Sequence, residues 1–191
     1  MRWSSMILVA LLLGCSTPGP VEPVAAGSAW NLPLIHGPGY SGIIFPQERA
    51  GDVANSLGIQ VSSYWTPDAE VITRLESVLR SALESGFKSP EAIVHLSDEN
   101  PDQRGYEIRE IGKILDHLPK YRRQYVGIVV PNGTRRVLVN CFLTAEGDPL
   151  DFESAWRQHL VLVEDGGFWF WRIQYDVNSD QFSDFESNGY A

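Results

Sequence analysis

Cys141, His159 and Asp165 are the residues of this chain that could supply a nucleophile, a base and an orienting acid. A cysteine nucleophile needs its pKa lowered, usually by a nearby imidazolium or a helix N-terminus. The pattern offers Cys141 neither. It falls in mid-strand, in phase with Val137 and Val139, and reads as a small buried hydrophobe. The four histidines, His36, His95, His117 and His159, form no close pair of the kind zinc sites use. No metal and no cofactor is therefore expected. His117 has a structural role available to it, since it falls near the C-terminal end of a helix pattern.

Asp176-Val177-Asn178-Ser179-Asp180 places oxygen ligands at alternate positions, as the start of a calcium loop does. Gln181 stands where such a loop needs its turn glycine, and Ser187 where it needs a bidentate glutamate. The run is expected to be a turn. Phe168-Trp169-Phe170-Trp171 is dense in aromatics. On a strand, Phe168 and Phe170 share one face and Trp169 and Trp171 the other. One pair belongs in the core. Trp169 and Trp171, if exposed, would be a possible binding surface for sugar or peptide. Arg122-Arg123 and Arg135-Arg136 are expected to balance nearby acids, with a carboxylated ligand as the other use. Asn132-Gly133-Thr134 has the form of a glycosylation sequon, but Asn-Gly already serves a turn.

Composition bounds what these residues could be part of. The chain has 191 residues, 43% of them hydrophobic, and a net charge of −9. That suits one domain with a self-sufficient core. The acidity excludes a general nucleic-acid binder, because phosphates would be repelled. Two cysteines cannot build a disulfide scaffold.

The N-terminus is the most specific signal. Arg2 precedes an unbroken apolar run, Met6 to Leu13, in the layout of a secretory signal peptide. As a helix the run reaches about 12 Å, far short of a hydrocarbon core of about 30 Å. Leu12-Leu13-Gly14-Cys15 resembles the lipobox of bacterial lipoproteins. The resemblance implies that signal peptidase II cleaves between Gly14 and Cys15, and that Cys15 carries the lipid. Ser16, in place of the Asp that often retains such proteins in the inner membrane, implies outer-membrane sorting in a Gram-negative cell. Without residues 1–14, which hold one Arg and no acid, the net charge becomes −10.

These assignments divide the chain into a signal peptide over 1–14, a lipidated Cys and Pro/Gly-rich tether over 15–29, and one domain over 30–191. The tether, extended, spans roughly 40 Å. Within the domain, residues 41–45 and 59–64 read as short strands. The clearest helix is expected over 66–86. Thr66 is its N-cap, Pro67 its first residue and Gly86 its stop. Val71, Ile72, Leu75, Val78, Leu79, Ala82 and Leu83 make its buried stripe. Glu70, Arg74, Glu76, Arg80 and Glu84 fall mostly on the outer face. Asp98 to Asp102 reads as an acidic loop, and a second helix runs from about Gly105 to Leu118, ended by Pro119. Strands follow at 124–130, 135–143, 159–163, 168–175 and 181–186, with a hairpin at Asn132-Gly133.

The expected fold is α+β: N-terminal helices packed on an antiparallel β-meander, in an order that looks cystatin- or NTF2-like. The segments Tyr64–Pro67, Tyr121–Ile128, Asp165–Gly167 and Asn188–Ala191 also resemble bacterial secreted proteins, a likeness that implies no activity. The leading expectation is a lipid-anchored cell-envelope protein with a non-enzymatic binding or structural role. Its partners would be the membrane, through the lipid, and an envelope protein or small ligand. A hydrolase or transferase using Cys141 and His159 is one alternative. An inhibitor or immunity-like module is another, resting on the fold analogy alone.

Overall fold

The computed structural model describes residues 32–54, 58–88, 101–144 and 155–189. The lipobox, the tether, His95 and Asp98 to Asn100 lie outside the described residues. The architecture is α+β, built on one seven-stranded, mostly antiparallel sheet. In chain order the elements are β1 (Ile35–Gly37), β2 (Tyr40–Phe45), α1 (Gln47–Ala54), β3 (Ser63–Trp65) and α2 (Ala69–Lys88). They continue with α3 (Pro101–His117), β4 (Arg122–Val129), β5 (Arg135–Phe142), β6 (Phe170–Asp176) and β7 (Gln181–Ser187).

The strands lie in the order β1-β2-β4-β5-β6-β7. From β4 to β7 they form the expected antiparallel run. The sheet is not a pure meander, however. β2 pairs with β4 in parallel, Ser41 opposite Arg122 through Phe45 opposite Val126. β3 takes the rest of that edge, antiparallel, with Trp65 opposite Gly127. The parallel pairing is possible because the helices intervene between β2 and β4, and a parallel connection needs such a crossover.

Helices α2 and α3 cover one face. Ile72, Leu75, Leu79 and Leu83 of α2 and Ile111 and Ile114 of α3 meet Val137, Val139, Cys141, Trp171 and Ile173 of the sheet. The stripe read from the sequence is thus the packed face of α2. Its start differs from expectation. Asp68 is the cap, accepting the Val71 N–H at 2.8 Å. Thr66 instead accepts the N–H of Gln47 at 2.8 Å, at the start of α1. The helix also runs past Gly86 to Lys88, and α3 begins at Pro101 rather than after the acidic loop. Proline is well placed at a first helical position, where no N–H is needed.

The opposite face carries Ile43, Phe45, Val126, Ile128, Leu138 and Phe142. Ala50 of α1 and Trp156 close over it. Residues 159–163, expected as a strand, are not one. They cross this face as a strap. The β4–β5 hairpin also differs in its turn. A two-residue Asn-Gly turn needs positive φ at both positions. Gly133 has it, at +86°, but among the described residues only Asp180 and Asp184 do so with a side chain. Pro131 leads the turn instead, and Gly133 N–H donates to Val130 C=O at 2.8 Å.

Gly127 is required by a close approach. A Cβ there would lie 2.2 Å from the Trp65 carbonyl and 2.9 Å from its ring. The glycine lets Trp65 lie across β4, where its indole N–H donates to Ile128 C=O at 3.1 Å.

Candidate functional site

The residues with the most chemistry sit between α2 and the sheet. Arg123 and Tyr125 alternate with Gln124 and Val126 on β4, so both point toward the helices. Glu76 of α2 meets them. Its Oε1 lies 2.9 Å from Arg123 Nε, and Tyr125 O–H donates to the same oxygen at 2.8 Å. The Arg123 side chain is 1% exposed and that of Glu76 7%. The other guanidinium nitrogens donate to the carbonyls of Tyr121 at 2.9 Å and Leu118 at 3.1 Å, just beyond α3. Arg123 therefore joins α2, the end of α3 and the sheet.

Burial lifts the Glu76 carboxyl above its ordinary pKa. Arg123 and Tyr125 pull it back only in part. Tyr125 is held well above the ordinary phenol range, first by burial and then by the adjacent carboxylate. Cys141, opposite Arg123 on β5, is buried. Burial pushes its thiol far up, against a smaller opposing pull from Arg123. A thiol so placed stays protonated and is a poor nucleophile.

The sheet does not bring Cys141 to His159. Cys141 faces the helices. His159 is exposed on the strap, on the other side, where its carbonyl accepts a hydrogen bond from Gln124 at 2.7 Å. Asp165 is exposed and forms an isolated bridge with Gly189. Trp169 and Trp171 are separated as well. The strand begins at Phe170, so Trp169 lies in a 3-10 turn over Gly167–Trp169 and is 38% exposed. Trp171 is 1% exposed, edge-on to Tyr121 at 5.6 Å. The two tryptophans do not form a common surface, because positive φ at Gly166 and Gly167 breaks the alternation before Phe170.

The Asp176–Asp180 run is a turn whose carboxylates are engaged. Asp176 Oδ1 accepts the Asn178 N–H at 2.8 Å. Asp180 accepts from Tyr175 O–H and lies 3.1 Å from Arg74 Nε. Burial and Asp180 raise the Tyr175 phenol, while Arg74 opposes them. Arg136 pairs with Asp184 at 2.9 Å, as expected of a basic island. Arg135 lies over the Trp65 ring at 3.8 Å, and Arg122 over that of Trp156 at 5.2 Å.

The second polar group is the strap's attachment. Gln124 and Asn140 are opposite one another on β4 and β5 and face away from α2 and α3. Asn140 Nδ2 donates to Gln124 Oε1 at 2.9 Å. Gln124 Nε2 donates to the carbonyls of Trp156 at 2.6 Å and His159 at 2.7 Å. Val161 N–H donates to Gln124 Oε1, and Val161 C=O accepts from Asn140, each at 2.9 Å. Two side-chain amides thus do for residues 156–161 what a neighbouring strand would do. Beside them is an apolar pocket of about 220 Å³, lined by Ala155, Trp156, His159, Leu160, Val161 and Leu162.

Sequence reasoning missed both polar groups. Glu76 was expected to face outward, yet it lies between Ile72, Leu75 and Leu79, within the stripe itself. The signal was an acid inside an apolar helical face, matched by an arginine inside an apolar strand. For the strap, the signal was Gln and Asn at opposed positions of two otherwise apolar strands.

No family model, no curated protein and no solved structure matches this chain.

Proposed function

We propose that the chain is a lipid-anchored protein of the bacterial cell envelope whose α+β body has a binding or structural role. The single observation that carries the non-enzymatic part is the separation of Cys141 from His159 by the sheet. The thiol is buried on the helix-covered face opposite Arg123, and the imidazole stands in solvent on the other side. The anchoring part rests on Leu12-Leu13-Gly14-Cys15 and the apolar run before it. Ser16 favours the outer membrane in a Gram-negative cell. Two or more acyl chains hold a protein stably at a bilayer, and an acidic body adds no attraction to anionic lipid.

The test is fractionation with mass measurement. The full chain should be recovered with membranes, its N-terminus an acylated Cys15. Cys15→Ser should leave an unprocessed or unacylated protein. Recovery of that variant with unchanged size and membrane content would overturn the anchor. An activity abolished by Cys141→Ala at unchanged thermal stability would overturn the non-enzymatic role.

A further inference from the structure

We propose that Arg49 and Arg157 form a site for a phosphate ester on the strap-bearing side of the domain. The site stands whether or not the chain is lipid-anchored. It is marked out by how the cations are partnered. The chain has 24 acidic and 15 basic side chains, so carboxylates outnumber cations. Arg74, Arg80, Arg123, Arg136 and Arg172 each pair with a carboxylate. Among the described residues Arg49 and Arg157 form no ion pair, and their hydrogen bonds go to neutral carbonyls. Arg49 Nη2 donates to Gln158 C=O at 3.0 Å. Arg157 donates to Leu32 C=O from Nε, at 2.8 Å, and from Nη2.

The fold brings the two guanidinium groups together. Both line one crevice with Leu32, Phe45 and Gln158, and Arg49 bonds to the residue that follows Arg157. Each is half-buried, so solvent ions screen their charges less than those of fully exposed side chains. Arg49 also lies in the first turn of α1, the end of a helix at which a cation is disfavoured. Glu48, the acid of that turn, is exposed and pairs with neither arginine. Two like charges and a positive helix end thus stand side by side with neutral partners. An anion held between them would relieve that repulsion.

The remaining donors set the chemistry of that anion. Arg49 keeps Nε and Nη1, and Arg157 keeps Nη1. None of the three is among the buried nitrogens without a partner, so all three reach solvent. The Nε–Nη2 edge of Arg157 is closed by the Leu32 carbonyl, so a carboxylate cannot take that fork side-on. Donors from two separate planar groups suit the outward oxygens of a tetrahedral phosphate better than the two coplanar oxygens of a carboxylate. The crevice is too narrow to take the group in, so it sits across the mouth and is held from one side. A small phosphorylated molecule and a phospholipid headgroup both present that chemistry.

The experiment uses the full chain in neutral detergent and phenylglyoxal, which modifies accessible guanidinium groups. Peptide masses read the extent of reaction at each arginine. Inorganic phosphate and glycerol 3-phosphate are the soluble probes. A second arm places the chain on phosphatidylcholine vesicles with or without phosphatidylglycerol. The expected result is slower modification of Arg49 and Arg157 in at least one arm, with Arg80 and Arg109, exposed on the helices, unchanged. Protection by the soluble probes assigns a free phosphate ligand. Protection added by phosphatidylglycerol assigns a headgroup. No protection in either arm would overturn the site. Equal slowing at Arg80 and Arg109 would show general charge screening and would overturn it as well. Acetate at the same ionic strength should protect neither arginine, and protection equal to that by phosphate would overturn the phosphate assignment. Arg49→Gln should raise the probe concentration that half-protects Arg157 about tenfold. An unchanged value would overturn the pairing of the two, and the wild-type pattern decides the matter if that variant fails to fold.

Discussion

Arg123 and Glu76 are not equal partners. Arg123 retains the carbonyls of Leu118 and Tyr121 if the carboxylate is neutralised. Among the described residues, Glu76 without Arg123 keeps only the Tyr125 hydroxyl as a polar partner. Removing one member of a buried pair costs about 3–5 kcal/mol when it strands a charge. Arg123→Met should approach that loss at neutral pH, and Glu76→Gln, which leaves the guanidinium its two carbonyl acceptors, should cost less. Urea unfolding measures both. The pH dependence has a definite sign. Burial raises the folded carboxyl above its ordinary 4.5, so the folded state binds this proton more tightly than the unfolded chain does. The group's contribution to stability is full below the ordinary value and is lost as pH rises through the folded one. The deficit of Arg123→Met should therefore shrink on acidification toward that ordinary value, since a protonated Glu76 needs no cation. A deficit that grows over this range would refute the argument. Cys141 gives a second prediction at this scale. Its thiol should react with an aromatic disulfide reagent only as fast as the protein unfolds, and stoichiometrically in denaturant.

The strap is held as an element through side chains rather than by strand pairing. Gln124→Leu removes the acceptor for the Val161 N–H and the donor for the carbonyls of Trp156 and His159. Each buried group left unpaired costs about 1–3 kcal/mol. The variant should lose hydrogen-exchange protection at Val161 and change Trp156 emission, while α2 amides keep their protection. Unchanged exchange at Val161 would sink this account. The same element shows why part of the fold was legible in the sequence and part was not. The stripe of α2 and the alternation of β5 are local periodicities, and both are present in the structure. Residues 159–163 have the composition of a strand, but a strand needs a free backbone edge, and β4 and β5 already pair with each other along their length. The parallel contact of β2 with β4 joins segments separated by three helices, and no local pattern encodes that. Charge ordinarily marks the outer face of a helix, and Glu76 departs from that rule. Its position between Ile72 and Leu79 outweighed its polarity once Arg123 stood opposite.

At the scale of the whole molecule, charge is the main uncompensated quantity. Surface pairs such as Arg80–Glu84 at 3.6 Å and Arg74–Asp180 at 3.1 Å are exposed and contribute little. A net charge of −9 remains, and self-repulsion of that kind weakens the compact state. The thermal midpoint should be higher at about 0.15 M salt than at about 0.01 M, as the screening length falls from about 30 Å to about 8 Å. A midpoint that falls with salt would mean that local pairs outweigh the net charge. One feature of the sheet bears on the order of assembly. Gln124 and Asn140 belong to a single hairpin, so the pair of amides is complete as soon as β4 and β5 close on each other. Formation of a hairpin is a fast, local event. Residues 155–163 can then dock onto a finished template through their main chain and the buried Trp156 ring, as the last step on that face. Their amide and carbonyl groups set the register, so substitutions at exposed positions such as His159 and Leu162 can accumulate without erasing the instruction for where the segment goes.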